Sequence, residues 1–253
     1  MILQQRTEGF IFKKEDRLEA DSVLSVFTKD FGRIEVLARA VRKINAKLRT
    51  DSEIFSFCEV EFVQGKNKKT LTDAKISERF SVIKKSPEKL ETAYWISSLL
   101  QHFIKGQESD QAILDLIYES FTVLNDIEVK KRELVFEYFF WNFISLLGYA
   151  PELSVCSLCR KSLSPQGIYF SFFDGGVVCG SCFTGKHDKI KITPDTVKCW
   201  RLFLKKDWNI LLRLKIEEPT RVLLKEVSRQ YYRYLASHIS SLALSNHLTT
   251  HEI

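Results

Sequence analysis

Two cysteine pairs constrain this chain more than any other feature. Cys156-Ser157-Leu158-Cys159 is followed, after nineteen residues, by Cys179-Gly180-Ser181-Cys182. Paired C-x-x-C knuckles at that separation match the spacing of a four-thiolate zinc site. Each knuckle presents two sulfurs about one turn apart, and two knuckles complete a tetrahedron with Zn–S distances of about 2.3 Å. The intervening Gly167–Phe173, Asp174-Gly175-Gly176 and Val177-Val178 read as a hairpin that returns the second knuckle to the first. The pattern predicts a zinc ribbon at about 155–190, with one structural Zn²⁺ held by Cys156, Cys159, Cys179 and Cys182. Four protein thiolates leave no open position for water or substrate, so such a site is not catalytic. The competing readings are a redox C-x-x-C or two fortuitous pairs, and His187 is an alternative ligand. Cys58 and Cys199 stand alone and read as core residues.

The same cysteines bear on compartment. Charges begin at Arg6 with no apolar stretch before them, which argues against a signal peptide. Six cysteines without a secretion signal point to a reducing compartment, the cytoplasm. The most apolar stretch, Tyr138 to Pro151, has 14 residues without a charge and includes Asn142. A bilayer needs about 20, so the stretch reads as a buried core helix and no membrane partner is expected. Gly180 to His187 approaches the P-loop pattern, but its last position is His187, which has no hydroxyl for Mg²⁺. Neither a nucleotide nor another small-molecule substrate is expected.

Before about residue 80, apolar and polar residues alternate in short runs, the signature of half-buried strands. Five are expected, at 9–13, 22–28, 33–39, 55–63 and 69–76. Five strands in so short a span suit a small antiparallel barrel, of which the OB-fold is the commonest that binds single strands. Beyond residue 80 the texture turns helical. Ser86-Pro87-Glu88 and Thr193-Pro194-Asp195 supply N-caps followed by proline. Further helices are expected from Ser109, over about 128–147, and after Pro219, where Val227, Tyr231, Leu235 and His238 share a stripe. The expected fold is α+β: an OB-fold nucleic-acid-binding domain at 1–80, then a helical domain at 81–253 interrupted by the zinc ribbon.

A basic stretch leaves the third strand: Arg39, Arg42, Lys43, Lys47 and Arg49, with no acid among them. Lys66, Lys68 and Lys69 make a second basic turn. Each alone reads equally well as a solvated loop. Beside an OB-like barrel they form a candidate phosphate-holding surface, and the formal net charge of +6 agrees. Phe31, Phe55, Phe57 and Phe62 stand either as stacking platforms or as core. The five histidines are scattered, with His238 expected in the core, and no catalytic signature emerges. The balance favours a binding protein over an enzyme.

Thr7-Glu8-Gly9-Phe10-Ile11, Glu19-Ala20-Asp21, Thr28 to Arg33 and Ala38 to Lys43 resemble the opening of RecO proteins. So does Leu147 to Cys156, which leads into the ribbon. The resemblance implies a recombinational repair mediator that binds single- and double-stranded DNA and anneals complementary strands. It also implies partnership with RecR and with single-strand-binding protein, in helping the recombinase onto gapped DNA. Two rival readings remain. One is a nucleic-acid-processing enzyme that uses barrel and ribbon as grips, although no Lys-x-Asp-Gly occurs for a ligase-like nucleotidyl step. The other is a scaffold that does not bind DNA.

Overall fold

A computed structural model describes residues 3–43, 48, 52–66, 68–183, 185 and 189–248, with backbone alone at 3 and 239–248. The alternating segments form β1 (Leu3–Arg17), β2 (Asp21–Thr28), β3 (Gly32–Ala38), β4 (Ser56–Gln64) and β5 (Lys69–Glu78). They close into a barrel in the order β1-β2-β3-β5-β4, the five-stranded arrangement of an OB-fold. Every neighbouring pair is antiparallel except β3 with β5, which run parallel through two pairs, Val36 with Lys69 and Leu37 with Thr70. Inward positions Leu24, Val26, Ile34, Val36, Val60 and Phe62 are sealed from solvent, while Arg33, Glu35 and Leu37 alternate outward.

Three helices pack onto this barrel: α1 (Ser81–Lys85), α2 (Pro87–Phe103) and α3 (Gln111–Asp126). Ser86 accepts from the Lys89 amide to cap α2, as its position before Pro87 predicts. Asp110 accepts from the Ala112 and Ile113 amides to cap α3. Aromatic rings join helices to strands: Phe10 meets Phe121 at 4.5 Å, Phe57 meets Tyr118 at 5.0 Å and Phe55 meets Tyr94 at 5.0 Å. The Ser97 hydroxyl donates to the Phe12 carbonyl at 2.6 Å. Gly32, at φ 58, lies so close to the loop after α2 that a Cβ there would sit 2.3 Å from the Glu108 carbonyl oxygen. The texture change at residue 80 thus marks where strands give way to helices, whereas compactness divides the chain into residues 1–136 and 137–253.

Helix α4 (Arg132–Ile144) carries the chain from the first unit into the second. Tyr138 to Trp141, Phe143 and Ile144 are fully buried, as the run of apolar residues demands. Gly148, at φ 90, ends the wide turn at Ser145–Tyr149 that follows. Three short strands, β6 (Ile168–Ser171), β7 (Gly176–Cys179) and β8 (Lys189–Ile192), form a sheet in the order β7-β6-β8. Helices α5 (Pro194–Leu204), α6 (Trp208–Leu211) and α7 (Glu218–Leu248) complete the unit. Phe170 of the sheet packs on Trp141 at 5.8 Å and on Trp200 at 5.2 Å, which roots the sheet in the helical core.

Strand β8 and the short α1 and α6 go beyond the periodicity. On α7, Val227, Tyr231 and Leu235 are buried as their stripe predicts, but His238 is exposed. Its ring lies 4.0 Å from that of Tyr234, and Nδ1–H donates to the Tyr234 carbonyl at 2.9 Å. The histidine is satisfied by its own helix, where the sequence suggested the core. Among the described residues, no helix is long and apolar enough to cross a membrane.

Candidate metal centre and nucleic-acid interface

The two cysteine knuckles meet because the chain between them is stitched back on itself. Ser157 donates its amide to the Val177 carbonyl at 2.9 Å, so the first knuckle lies along the strand that carries the second. Val177 donates to the Glu152 carbonyl at 2.9 Å, and Glu152 to the Gly175 carbonyl at 3.0 Å. This contact tolerates no side chain at Gly176, whose Cβ would lie 2.5 Å from the Glu152 carbonyl oxygen and 2.6 Å from Ser157 Oγ. The first knuckle closes through the Arg160 amide on the Cys156 carbonyl at 2.9 Å.

The sulfurs of Cys156, Cys159, Cys179 and Cys182 all lie within 4.8 Å of one another, and Cys159 and Cys179 are 3.8 Å apart. A tetrahedron with bonds of about 2.3 Å has edges of about 3.8 Å, so the cluster has the dimensions of a four-thiolate metal site. Backbone amides point at the sulfurs, as where Cys179 donates to Cys156 Sγ at 3.4 Å. Burial pushes the Cys156 thiol up, but amide donors from Cys159, Cys179 and Leu158 outweigh it and bring it down to about 6. Cys182 is pushed up to about 12, chiefly through its hydrogen bonds with the Cys159 and Cys179 thiols. Four neighbouring sulfurs cannot all ionise without a cation among them, and a metal ion supplies that charge. The cluster could hold one metal ion.

The other two cysteines differ in kind. Burial pushes the Cys58 thiol up to about 12 and the Cys199 thiol up to about 11, so both stay protonated at neutral pH and serve as packing. His187 lies outside the described residues.

The basic residues separate into two places on the barrel unit. Arg39, Arg42 and Lys43 are exposed on the turn that follows β3. Arg42 is already engaged: its guanidinium donates to the Leu18 carbonyl at 3.3 Å and pairs with Asp16 at 3.4 Å. Lys47 and Arg49 lie outside the described residues. Lys66 is exposed on the β4–β5 turn. Lys68 and Lys69 line an open cleft of about 480 Å³ over the outer face of β2 and β3, with α2 and its following loop as the far wall.

That cleft gathers cations the sequence does not link. Arg17, Arg33 and Lys105 join Lys68 and Lys69 there, against a single carboxylate, Glu35. Arg33 has a second duty, donating to the carbonyls of Gln101 at 3.0 Å and Ile104 at 2.8 Å at the end of α2. Only the barrel's closure and the docking of α2 bring these residues together, from 17, 33, 68 and 105 in the chain. The outer face of strands 2 and 3 is where OB-folds hold oligonucleotides. Of the aromatic candidates, Phe55, Phe57 and Phe62 are buried and belong to the core, and Phe31 packs edge-on against Phe62 at 5.5 Å.

Fold and sites together define an OB-fold protein with a cationic β2–β3 face and a four-cysteine ribbon set into a helical unit. The model of the Recombination protein O N-terminal region matches residues 1–80, and that of the Recombination protein O C-terminal region matches residues 85–242. The chain belongs to the Recombination protein O family. It is 31% identical over 230 residues to the DNA repair protein RecO of Dehalococcoides mccartyi, covering 91% of this chain and 90% of that protein. The DNA repair protein RecO of Desulforamulus reducens is 26% identical over 229 residues, covering 90% and 88%. That of Halalkalibacterium halodurans is 24% identical over 237 residues, covering 93% and 92%.

Proposed function

We propose that this protein is a DNA-binding mediator of recombinational repair that pairs complementary strands without turnover. The cleft on the β2–β3 face carries the reading, because five cations against one carboxylate suit a polyphosphate and carry no base code. Family membership over nearly the whole chain supplies the repair context, as do relatives named DNA repair proteins. Both single- and double-stranded DNA present the phosphates such a surface needs. Complementary strands repel through those phosphates, so neutralising both speeds pairing without fuel.

In this reading the barrel at 1–80 is the nucleic-acid-binding domain. Arg39, Arg42, Lys43, Lys66, Lys68 and Lys69, together with Lys47 and Arg49, add phosphate contacts, and Arg42 also holds the β1–β2 turn. The helical part from 81 carries the ribbon with one structural zinc on Cys156, Cys159, Cys179 and Cys182. RecR and single-strand-binding protein are its partners at cytoplasmic DNA gaps, where it helps load the recombinase.

The test is annealing of complementary single strands by purified protein, without ATP or Mg²⁺. The expected result is accelerated pairing that slows as salt rises and persists on strands coated with single-strand-binding protein. Tight DNA binding at low salt with annealing at its protein-free rate would leave only a DNA-binding scaffold.

A further inference from the structure

The turn between β1 and β2 holds a leucine where the fold gains nothing from one. Leu18 stands at φ 54, the left-handed region that glycine and asparagine adopt readily and leucine does not. Its side chain is 82% exposed, the highest value among the large apolar residues described. Neither burial nor backbone preference therefore accounts for leucine here, and hairpin tips ordinarily carry Asn, Asp or Gly.

The turn is nevertheless held firmly. The Arg42 amide donates to the Ala20 carbonyl at 3.0 Å, and the Ala40 amide donates to Asp21 Oδ1 at 2.8 Å. The Arg42 guanidinium grips the Leu18 carbonyl and Asp16. A strained residue persists only where its surroundings over-determine it, and such positions gather at ligand contacts.

The chain neighbour of Leu18 lies where a polyanion would be held. Arg17 lines the cationic cleft, and Val23 of the next strand lines it too. Leu18 directly follows Arg17, one residue outside the cleft's lining. Glu19, exposed beside it, repels phosphate from the tip itself. A strand whose phosphates lie on Arg17, Lys68 and Lys69 would turn a base, not its backbone, towards Leu18. Apolar side chains that meet nucleic acid in this way pack on or between base faces. In a duplex those faces are covered by stacking; in a single strand they are open.

We propose that Leu18 is an apolar contact for an unstacked base of single-stranded DNA, held next to Arg17 of the β2–β3 cleft by the Arg42 clamp. The proposal rests on the DNA-binding reading above and adds to it a side chain that senses bases. It is tested with Leu18→Asn, which suits the left-handed backbone, and Leu18→Met, which keeps an apolar side chain. Affinity is measured by fluorescence anisotropy, at one salt concentration, on an oligothymidylate and on an abasic strand of equal length.

Leu18→Asn should melt no lower than wild type yet bind oligothymidylate about fivefold more weakly, since part of a leucine's burial is lost. On the abasic strand it should match wild type, and Leu18→Met should retain wild-type affinity on both. Unchanged oligothymidylate binding by Leu18→Asn overturns the proposal, as does an equal loss on the abasic strand. Wild-type protein that binds neither strand overturns the DNA-binding reading as well, so the two failures are distinct.

Discussion

The barrel and the ribbon are both small β structures, and they are held by different physics. The barrel closes its own hydrogen-bond ladder around a core that includes Leu24, Val26, Ile34, Val60 and Phe62, so burial alone can hold it. The ribbon has three strands of four residues each. Its inward Phe170 roots it in the helical core, but the knuckles lie beyond that root. A piece this size needs a staple, and four clustered thiolates are suited to be one. The difference teaches where each can vary: the barrel's outer face is free to carry charge, while the knuckle positions are fixed by coordination.

The largest effect that would sharpen this contrast comes from the metal. Purified protein should hold about one zinc per chain, and structural zinc contributes about 10–16 kcal/mol in small zinc peptides. Chelation, or Cys156→Ser, should therefore abolish amide protection across Ile168–Cys179 while the barrel strands stay protected. Protons compete with metal for thiolates, so acid should release the ion and open the ribbon first. Hydrogen exchange with metal analysis reads both, and a ribbon that stays protected after its metal is gone breaks the comparison.

Next comes a cavity in the barrel. Phe62→Ala removes a side chain with no solvent exposure and should cost about 3–5 kcal/mol in urea unfolding. Zinc content should not change. Loss of metal on this substitution would mean that the two regions do not stand on separate foundations.

Charge on the outer face should matter for binding and little for folding. Arg17→Ala with Lys105→Ala removes two cleft cations and should lower the log–log salt slope on single-stranded DNA by about 1.4, at about 0.7 per contact. An unchanged slope in salt titrations would move the interface off this face. The smallest expected effect is at a helix cap: Thr193→Ala deletes the acceptor for the Thr196 amide at the start of α5 and should cost about 1 kcal/mol. Thermal unfolding that leaves zinc content intact would place this cost in the helices and not in the ribbon.

Much of this molecule is written locally. The barrel strands follow from alternation, because side chains on a strand point to opposite faces and only one face is buried. The capped starts of α2 and α5 follow from Ser86-Pro87 and Thr193-Pro194, because cap and proline act within a single turn. The four sulfurs could be paired from spacing alone, since coordination geometry limits which knuckles can meet. Three things needed the tertiary structure. Phe55 and Phe57 became core because α2 and α3 dock over the barrel. His238 fell outside the core because α7 buries Val227, Tyr231 and Leu235 and leaves that position in solvent. The cleft arose because closure of the barrel and docking of α2 converge Arg17, Arg33, Lys68 and Lys105 from distant points of the chain. Periodicity, caps and ligand spacing act over a few bonds or through fixed coordination lengths, and a sequence displays them directly. A charged surface is a sum over residues that touch only after the chain has folded.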